Sequence, residues 1–255
     1  MIHHLIMVIL SWFYQIFLQH INVILSLLWA LASFVYLLKL FFPKWNEFTK
    51  FGKLDKQKIE FFSIDSKISW IIFYSFSCIM FFVTFKWHFP PSRTNILHFI
   101  HSFRRFFESI FITNFSKRKT HIINLLAGLV FYFMVPITIS LSSDSNFTFS
   151  HLMLPISIIL NAFQHICHKH LASLKKYTIP NNIFFRMCTS PHYFIEICLY
   201  SVYFLSSPSP LSFVMACFVG FNLTHSAIMS YEWYIDTFGL DFVKQKRNIL
   251  IPYVY

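Results

Sequence analysis

Ionisable side chains recur inside an apolar stretch at residues 97–109, where a lipid environment would disfavour them. Four of them follow one another at intervals of three or four residues: His98, His101, Arg105 and Glu108. Side chains at this spacing share one helix face, and Arg104 would lie about 100° away from it. Imidazoles and a carboxyl group on one buried face can transfer protons. The pattern therefore favours a functional site; the alternative is an Arg105–Glu108 pair that only stabilises the helix.

Histidines crowd the end of a second apolar stretch, which begins near Gln164. Together with one cysteine they could suggest a metal site: His165, Cys167, His168 and His170. A tetrahedral zinc site would need further ligands from another compact Cys/His group, and the sequence offers none. We therefore predict no bound metal. Solvated histidines at a membrane interface are the alternative to a functional site.

A single carboxylate lies in a third apolar stretch, residues 189–200, where Glu196 follows His192 by four residues. Pro191 suits the first turn of a helix, on which His192 and Glu196 would share a face. An acid in such a helix is a functional candidate by default. The alternative is a buried Glu that serves helix packing. The aromatic and basic tail, residues 231–255, would equally suit an anchor at the membrane interface.

The elements that hold these groups must be membrane helices. Hydrophobic residues form 56% of the 255 residues and charged residues only 12%, with 35 Phe. This composition excludes a soluble enzyme, a disordered chain and a secreted disulfide scaffold, and a β-barrel would alternate polar and apolar residues. We predict an all-α polytopic membrane protein with about seven spans. The first span ends near Phe42. The other six lie at about 68–87, 95–113, 122–141, 152–168, 191–206 and 211–230.

The basic residues predict the orientation. Seventeen of the 21 Lys and Arg lie at Lys39 or in alternate connections, namely 43–67, 117–119, 169–186 and 244–247. By the positive-inside rule these connections are cytosolic, so the amino terminus is lumenal and the carboxy terminus cytosolic. Membrane lipid or a phosphorylated ligand at this face accounts for the net charge of +11, and no nucleic acid is expected. Residues 2–42 suit one span with an interfacial helix, or two short spans.

Glycine is too scarce for a phosphate-binding loop. The four glycines are Gly52, Gly128, Gly220 and Gly239, and neither GxGxxG nor a Walker motif can be formed from them. Any nucleotide must therefore be held by side chains and helix ends.

Several separated blocks resemble the steroid 5α-reductase family, and within it the polyprenal reductase branch. They are WNEFTKFGK (45–53), HSFRRFFE (101–108), QHICHKHLASLKKYTIP (164–180), SPHYFIEI (190–197), and WYIDTF with RNILIPY in the tail. Their order and spacing cover most of the chain after residue 40. The resemblance divides the chain into membrane helices with a basic loop, 1–94, and a catalytic region, 95–255.

The resemblance implies a multi-pass enzyme of the endoplasmic reticulum membrane that binds NADPH from the cytosol. Such an enzyme would reduce the α-isoprene double bond of polyprenal to dolichal, in dolichol synthesis for protein N-glycosylation. The long isoprenoid substrate would enter from the bilayer. The alternatives are reduction of a 3-oxo-steroid or a very-long-chain enoyl thioester, or a membrane transporter or scaffold without enzymatic activity.

The resemblance also implies site residues. Those expected at the cofactor are Arg105, His168, Lys175, Tyr177, His192, Glu196, Tyr234 and Arg247. Steroid-reducing relatives use a Tyr in the 101–108 block to donate to the substrate carbonyl, but this chain has Ser102 there. The donor must therefore be His101, Tyr193 or Glu108, and Glu196 is expected to orient the reacting groups.

Overall fold

The structure is a computed structural model that describes residues 2–41, 63–87, 91–115, 119–142, 150–175, 178–252 and 254. Its helices are α1 Ile2–Phe41, α2 Ser66–Trp87, α3 Arg93–Phe107, α4 Ile122–Ser142, α5 Ser150–Ser173, α6 Ile183–Met187, α7 Pro191–Ser206, α8 Pro210–Phe238 and α9 Leu240–Val243. A π-helical turn, Glu108–Ile112, continues α3. Two strands, β1 Ser63–Asp65 and β2 Lys119–His121, pair antiparallel. The all-α prediction therefore holds for the described residues apart from this small sheet. The predicted block 45–53 and Tyr177 lie outside them.

Four of the described helices are long and apolar enough to cross a membrane. The candidate spans are Gln19–Lys39, Ser66–Thr84, Ile122–Ser142 and Pro210–Phe238. The other three predicted spans correspond to α3, α5 and α7, of which α3 has 15 residues and α7 has 16, fewer than the roughly 20 that cross a bilayer. Seven spans and the orientation of the termini stay predictions.

The amino-terminal helix α1 is one continuous element, so the interpretation of residues 2–42 as two short spans is wrong. It packs chiefly against α8. Trp29, 2% exposed, lies at the centre of this contact, and its Nε1 donates to Thr138 Oγ1 of α4 at 3.0 Å. Phe218 of α8 packs on the same ring, with the centroids 5.0 Å apart. The apolar helices thus enclose a core in which these aromatic rings pack among Leu, Met, Val and Ile side chains.

Three of the predicted lumenal connections meet at one end of the helices. Thr94 Oγ1, in the first turn of α3, lies 3.0 Å from Ser207 Oγ after α7. Ser209 Oγ, before α8, donates to Ser142 Oγ at the end of α4, over 2.8 Å. The ends of α4 and α7 and the starts of α3 and α8 therefore lie on the same side of the molecule.

The predicted cytosolic connections pair with one another at the opposite helix ends. In the β1–β2 sheet Ser63 lies opposite His121, which joins the start of α2 to the start of α4. The backbones of Cys188 and Asn248 form an isolated parallel β-bridge, and Arg247 donates to the carbonyl of Pro180 at 2.7 Å. The contacts agree with connections that alternate between two sides, as the basic residues predict.

Helices α2 and α4 approach closely at Gly128. A Cβ at this position would overlap the ring of Phe73, which is itself stacked on Tyr132 with centroids 5.5 Å apart. Gly128 is therefore required by packing. This contact supports α2, whose Tyr74 and Ser77 face the polar side of α3.

Candidate active site

A buried carboxylate forms the centre of the polar network. Glu108, 1% exposed, begins the π-helical turn after α3, an irregularity that is frequent at functional sites. Arg104 and Arg105, one turn earlier, both donate to its carboxylate. From α5, His165 Nδ1 lies 2.8 Å from Oε1 and His168 Nδ1 lies 2.8 Å from Oε2. Two guanidinium groups and two imidazoles thus converge on one acid.

These contacts bear on the chemistry open to Glu108. Arginine has N–H donors and no acceptor, so a carboxyl group between Arg104 and Arg105 accepts hydrogen bonds and has no partner there to which it could donate. Side chains of the protein thus already engage both oxygens of Glu108.

The second acid, Glu196 of α7, contacts α3 and α5. Its Oε1 lies 3.2 Å from Nε2 of His101, and its Oε2 accepts from the amide of Gln164. The same amide nitrogen lies 3.3 Å from the backbone carbonyl of His192, and the Gln164 oxygen accepts from Arg104. Gln164 therefore links the environment of Glu108 to that of Glu196.

His101 is held at both ring nitrogens. While Nε2 faces Glu196, Nδ1 lies 3.1 Å from Oδ1 of Asn161 on α5. The Asn161 amide nitrogen donates to the Ser157 carbonyl over 2.8 Å, which fixes the orientation of the amide so that its oxygen faces His101. The imidazole is thus buried, oriented and next to a carboxylate, the arrangement expected of a general acid or base.

Hydroxyl groups extend the network beside His101. Ser77 Oγ of α2 lies 3.2 Å from Nε2 of His98 and 2.9 Å from Oγ of Ser102. The His98 ring packs edge-on against Tyr203 of α7, with centroids 5.7 Å apart. Ser102 is therefore buried at the position where steroid-reducing relatives are expected to carry Tyr, and it contributes a smaller hydroxyl there.

His192 and Tyr193 border the network at the start of α7. The His192 ring lies 5.7 Å from that of His168 and 4.2 Å from that of Tyr193, measured between centroids. The Tyr193 side chain lies near that of Ser230 on α8. His192 thus borders His168, which contacts Glu108, whereas Tyr193 is directed toward α8.

Tyr234 and Arg247 form a separate group nearer the predicted cytosolic end. Tyr234 is buried and stacks on Phe242, with centroids 5.1 Å apart. Arg247 is 8% exposed and donates to the Pro180 carbonyl. Burial lowers the pKa of the Arg247 guanidinium from its ordinary value, and the nearby charge of Arg186 acts in the same direction.

Comparison with known proteins identifies the family. The sequence pattern of 3-oxo-5-alpha-steroid 4-dehydrogenase matches residues 112–255. The chain belongs to this family. The predicted membership of the steroid 5α-reductase family is therefore confirmed. The matched residues include His168, Glu196 and Arg247, whereas His101 and Glu108 precede them.

Several relatives within the steroid 5α-reductase family are named polyprenal reductase. The chain is 27% identical to that of Xenopus tropicalis over 185 residues, which cover 62% of this chain and 59% of the relative. It is 28% identical to that of Caenorhabditis elegans over 180 residues, 61% of this chain and 58% of the relative. It is 27% identical to the polyprenal reductase of Saccharomyces cerevisiae over 247 residues, which cover 88% of this chain and 91% of the relative. The chain thus spans less than two thirds of the first two relatives and most of the third.

Lys175, which the resemblance implied at the cofactor, lies apart from the network. Lys175 is exposed after the end of α5, where its backbone carbonyl accepts from Thr178 Oγ1 at 2.8 Å. Tyr177 lies outside the described residues. The network brings together five of the predicted site residues: His101, Arg105, Glu108, His168 and Glu196. Their roles in binding or catalysis stay predictions.

Sequence reasoning missed Arg104 and Asn161. Arg104 was expected away from the polar face, but its long side chain reaches across to α5, and its Nε donates to Asn161 Oδ1 at 3.0 Å. One signal in the sequence could have found them. Asn161, Gln164, His165 and His168 recur at helical spacing in an apolar segment, which demands polar partners from a neighbouring helix.

The histidines of α5 face different partners. His165 and His168 contact Glu108, whereas His170 Nε2 accepts from the backbone N–H of Asn181 at 3.1 Å. Within the part of the chain that the structure describes, no group of three or more His, Cys, Asp or Glu residues could hold a metal ion.

Proposed function

We propose that the protein is an NADPH-dependent reductase of the endoplasmic reticulum membrane that saturates the α-isoprene double bond of polyprenal to give dolichal. This reaction would serve dolichol synthesis for protein N-glycosylation. The observation that carries the proposal is the pair of buried His101 and partly exposed Glu196, in a chain several of whose relatives are named polyprenal reductase. A transporter or scaffold would leave the likeness to these reductases without a function.

The residues present suit the cofactor. Arg247 supplies a buried cation for a phosphate group, and Glu196 supplies an acceptor for a carboxamide deeper in the helices. The Glu196 side chain is 21% exposed, which leaves part of it accessible to such a group. When bound, NADPH would supply the hydride for the β carbon of the unsaturated aldehyde.

His101 would act on the substrate oxygen. Reduction of the conjugated double bond develops negative charge on the aldehyde oxygen, and a positioned N–H stabilises that charge and then donates its proton. Glu196 would hold the imidazole through Nε2, so the proton would come from Nδ1, which would exchange its contact with Asn161 Oδ1 for the substrate oxygen. Protonation of the resulting enol at the α carbon completes the addition of hydride and proton across the double bond.

The fold supports entry of the isoprenoid from lipid. The face of α3 opposite the network exposes a row of aromatic side chains, in which Phe103 lies 4.8 Å from Phe107 and Phe107 lies 5.9 Å from Phe111 between centroids. All three are at least 43% exposed. A long apolar substrate in the bilayer would therefore reach the site across a single helix.

Three experiments test this function and its proposed topology. Membranes that contain the protein should reduce polyprenal with NADPH, faster than a 3-oxo-steroid or a very-long-chain enoyl thioester, and cells without it should show a lower dolichol-to-polyprenol ratio. An unchanged ratio would contradict the proposal. A reporter fused after Tyr255 should remain cytosolic, and its protection inside sealed microsomes would invert the proposed topology.

A further inference from the structure

A cavity of about 370 Å³ lies where the connection between α5 and α7 meets the carboxy-terminal tail. Its volume is in the range of small-molecule sites. The residues that line it are Ile179, Asn181, Arg186, Gln245 and Arg247. Arg186 is not among the residues that the sequence implied at the cofactor. The cavity thus extends beyond the group already described.

Two chain segments hold the arginines in place. The tail is tied to the segment before α7 by the backbone N–H of Thr189, which donates to the Asn248 carbonyl at 2.8 Å. Arg247 is anchored on the Pro180 carbonyl, and Arg186 Nε donates to Asn181 Oδ1 at 2.9 Å. Each guanidinium is therefore fixed by a hydrogen bond at the wall of the cavity.

The cavity has the charge of an anion site. Two guanidinium groups face it, and the described residues that line it include no acid. Each guanidinium has five N–H donors, of which the anchoring bonds occupy only one apiece. The two guanidinium groups repel each other, since the charge of Arg186 contributes to the lowered pKa of Arg247. A bound anion would relieve this repulsion.

We propose that this cavity binds a phosphate monoester, with Arg186 and Arg247 as its charged ligands. Arginine forks match phosphate oxygens with paired hydrogen bonds. This inference rests on the proposed function, in which the phosphate is the 2′-phosphate that distinguishes NADPH from NADH. A second source of the same chemistry is the phosphate of a membrane lipid such as phosphatidic acid. Arg186 would then determine the cofactor preference of the enzyme.

The test measures cofactor binding by the purified full-length chain in detergent, from the change in nicotinamide fluorescence. Arg186→Gln should weaken NADPH binding by roughly 10- to 100-fold, the loss typical of a charged hydrogen bond, and change NADH binding by less than about twofold. Arg186→Lys, which keeps the charge and loses the fork, should fall between Arg186→Gln and the unchanged protein. Lys244→Gln removes one charge from an exposed position of the same tail and should change neither affinity.

Each outcome of this test decides a separate point. An equal loss of NADPH and NADH affinity in Arg186→Gln, or no loss of either, overturns the cofactor assignment. If NADPH affinity is unchanged while thermal stabilisation by phosphatidic acid disappears, the phosphate belongs to a lipid and the cofactor assignment is wrong. Because binding is measured without isoprenoid, a selective loss of NADPH affinity supports the site even if no polyprenal is reduced.

Discussion

Helices α3 and α1 use their buried polar residues in different ways. Helix α1 presents Leu25 and Trp29 to the apolar core, and its described polar contacts are single bonds, from Trp29 Nε1 to Thr138 and from Ser33 Oγ to the Trp29 carbonyl. Helix α3 buries His98 and His101 and exposes Phe103. Apolar helices such as α1 and α4 form what we call the frame of the molecule. Helix α3 instead has a polar inner face, which burial alone would disfavour. A polar interior of this kind persists only when its members satisfy one another.

The difference predicts where substitutions act on folding and where they act on chemistry. Buried ion pairs often contribute little net stability, because desolvation offsets their attraction. Removal of one partner is nonetheless costly, since the other charges stay buried. Substitutions in the frame should therefore change abundance alone, and those at the edge of the network should change activity alone.

Glu108→Ala should have the largest effect on stability. It leaves Arg104, Arg105, His165 and His168 without their shared acceptor, and loss of one member of a buried charge pair costs about 3–5 kcal/mol. Abundance in membranes, followed with the melting temperature of the purified protein, should fall sharply. The exposed acid Glu232 provides the control, and Glu232→Ala should leave both quantities unchanged. Equal stability of the two variants would show that the network is not satisfied as described.

Gly128→Ala tests the frame. The new Cβ meets the Phe73 ring, and overpacking of a core costs about 1–3 kcal/mol. Abundance should fall while NADPH affinity per folded molecule stays normal. Gly220 is the matched control, because no atom lies within 4 Å of a Cβ built there. A change in NADPH affinity with normal abundance would contradict the separation of frame and site.

Arg247→Ala and Lys175→Ala should differ, although the sequence implied the same role for both. Arg247 is buried at the cavity and Lys175 is exposed on the surface. We expect Arg247→Ala to raise the NADPH KM by about tenfold or more, and Lys175→Ala by less than about threefold, since an exposed charge contributes little. Polyprenal KM should change less than NADPH KM in both variants. Equal effects of the two variants on NADPH KM would place Lys175 at the cofactor after all.

Local pattern predicted the helices well, for a physical reason. Apolar runs bounded by Pro, Ser and polar residues have only helical solutions in lipid. The span predicted at 191–206 matches α7, which Pro191 begins, and the span at 122–141 differs from α4 by one residue. The helix faces that carry Glu108 and Glu196 also followed from spacing alone.

Contacts between distant residues could not be predicted in the same way. The Arg104 side chain reaches 57 positions along the chain to Asn161, and no helical period encodes that distance. The π-helical turn that sets Glu108 beside His165 and His168 departs from regular helix geometry. The cavity at Arg186 depends on the return of the tail to the segment before α7, which only the folded chain reveals.

In the proposed mechanism Glu196 positions the reacting groups through His101, and one experiment tests this role directly. Abundance and NADPH-dependent polyprenal reduction are measured on the same membranes for Glu196→Ala and Glu196→Gln. We predict that Glu196→Ala lowers turnover on the order of 100-fold with near-normal abundance, because misplacement by about 1 Å has that effect. Glu196→Gln, which keeps the size and one acceptor oxygen, should retain part of the activity. Normal specific activity of Glu196→Ala with reduced abundance would contradict the account and leave Glu196 a packing residue.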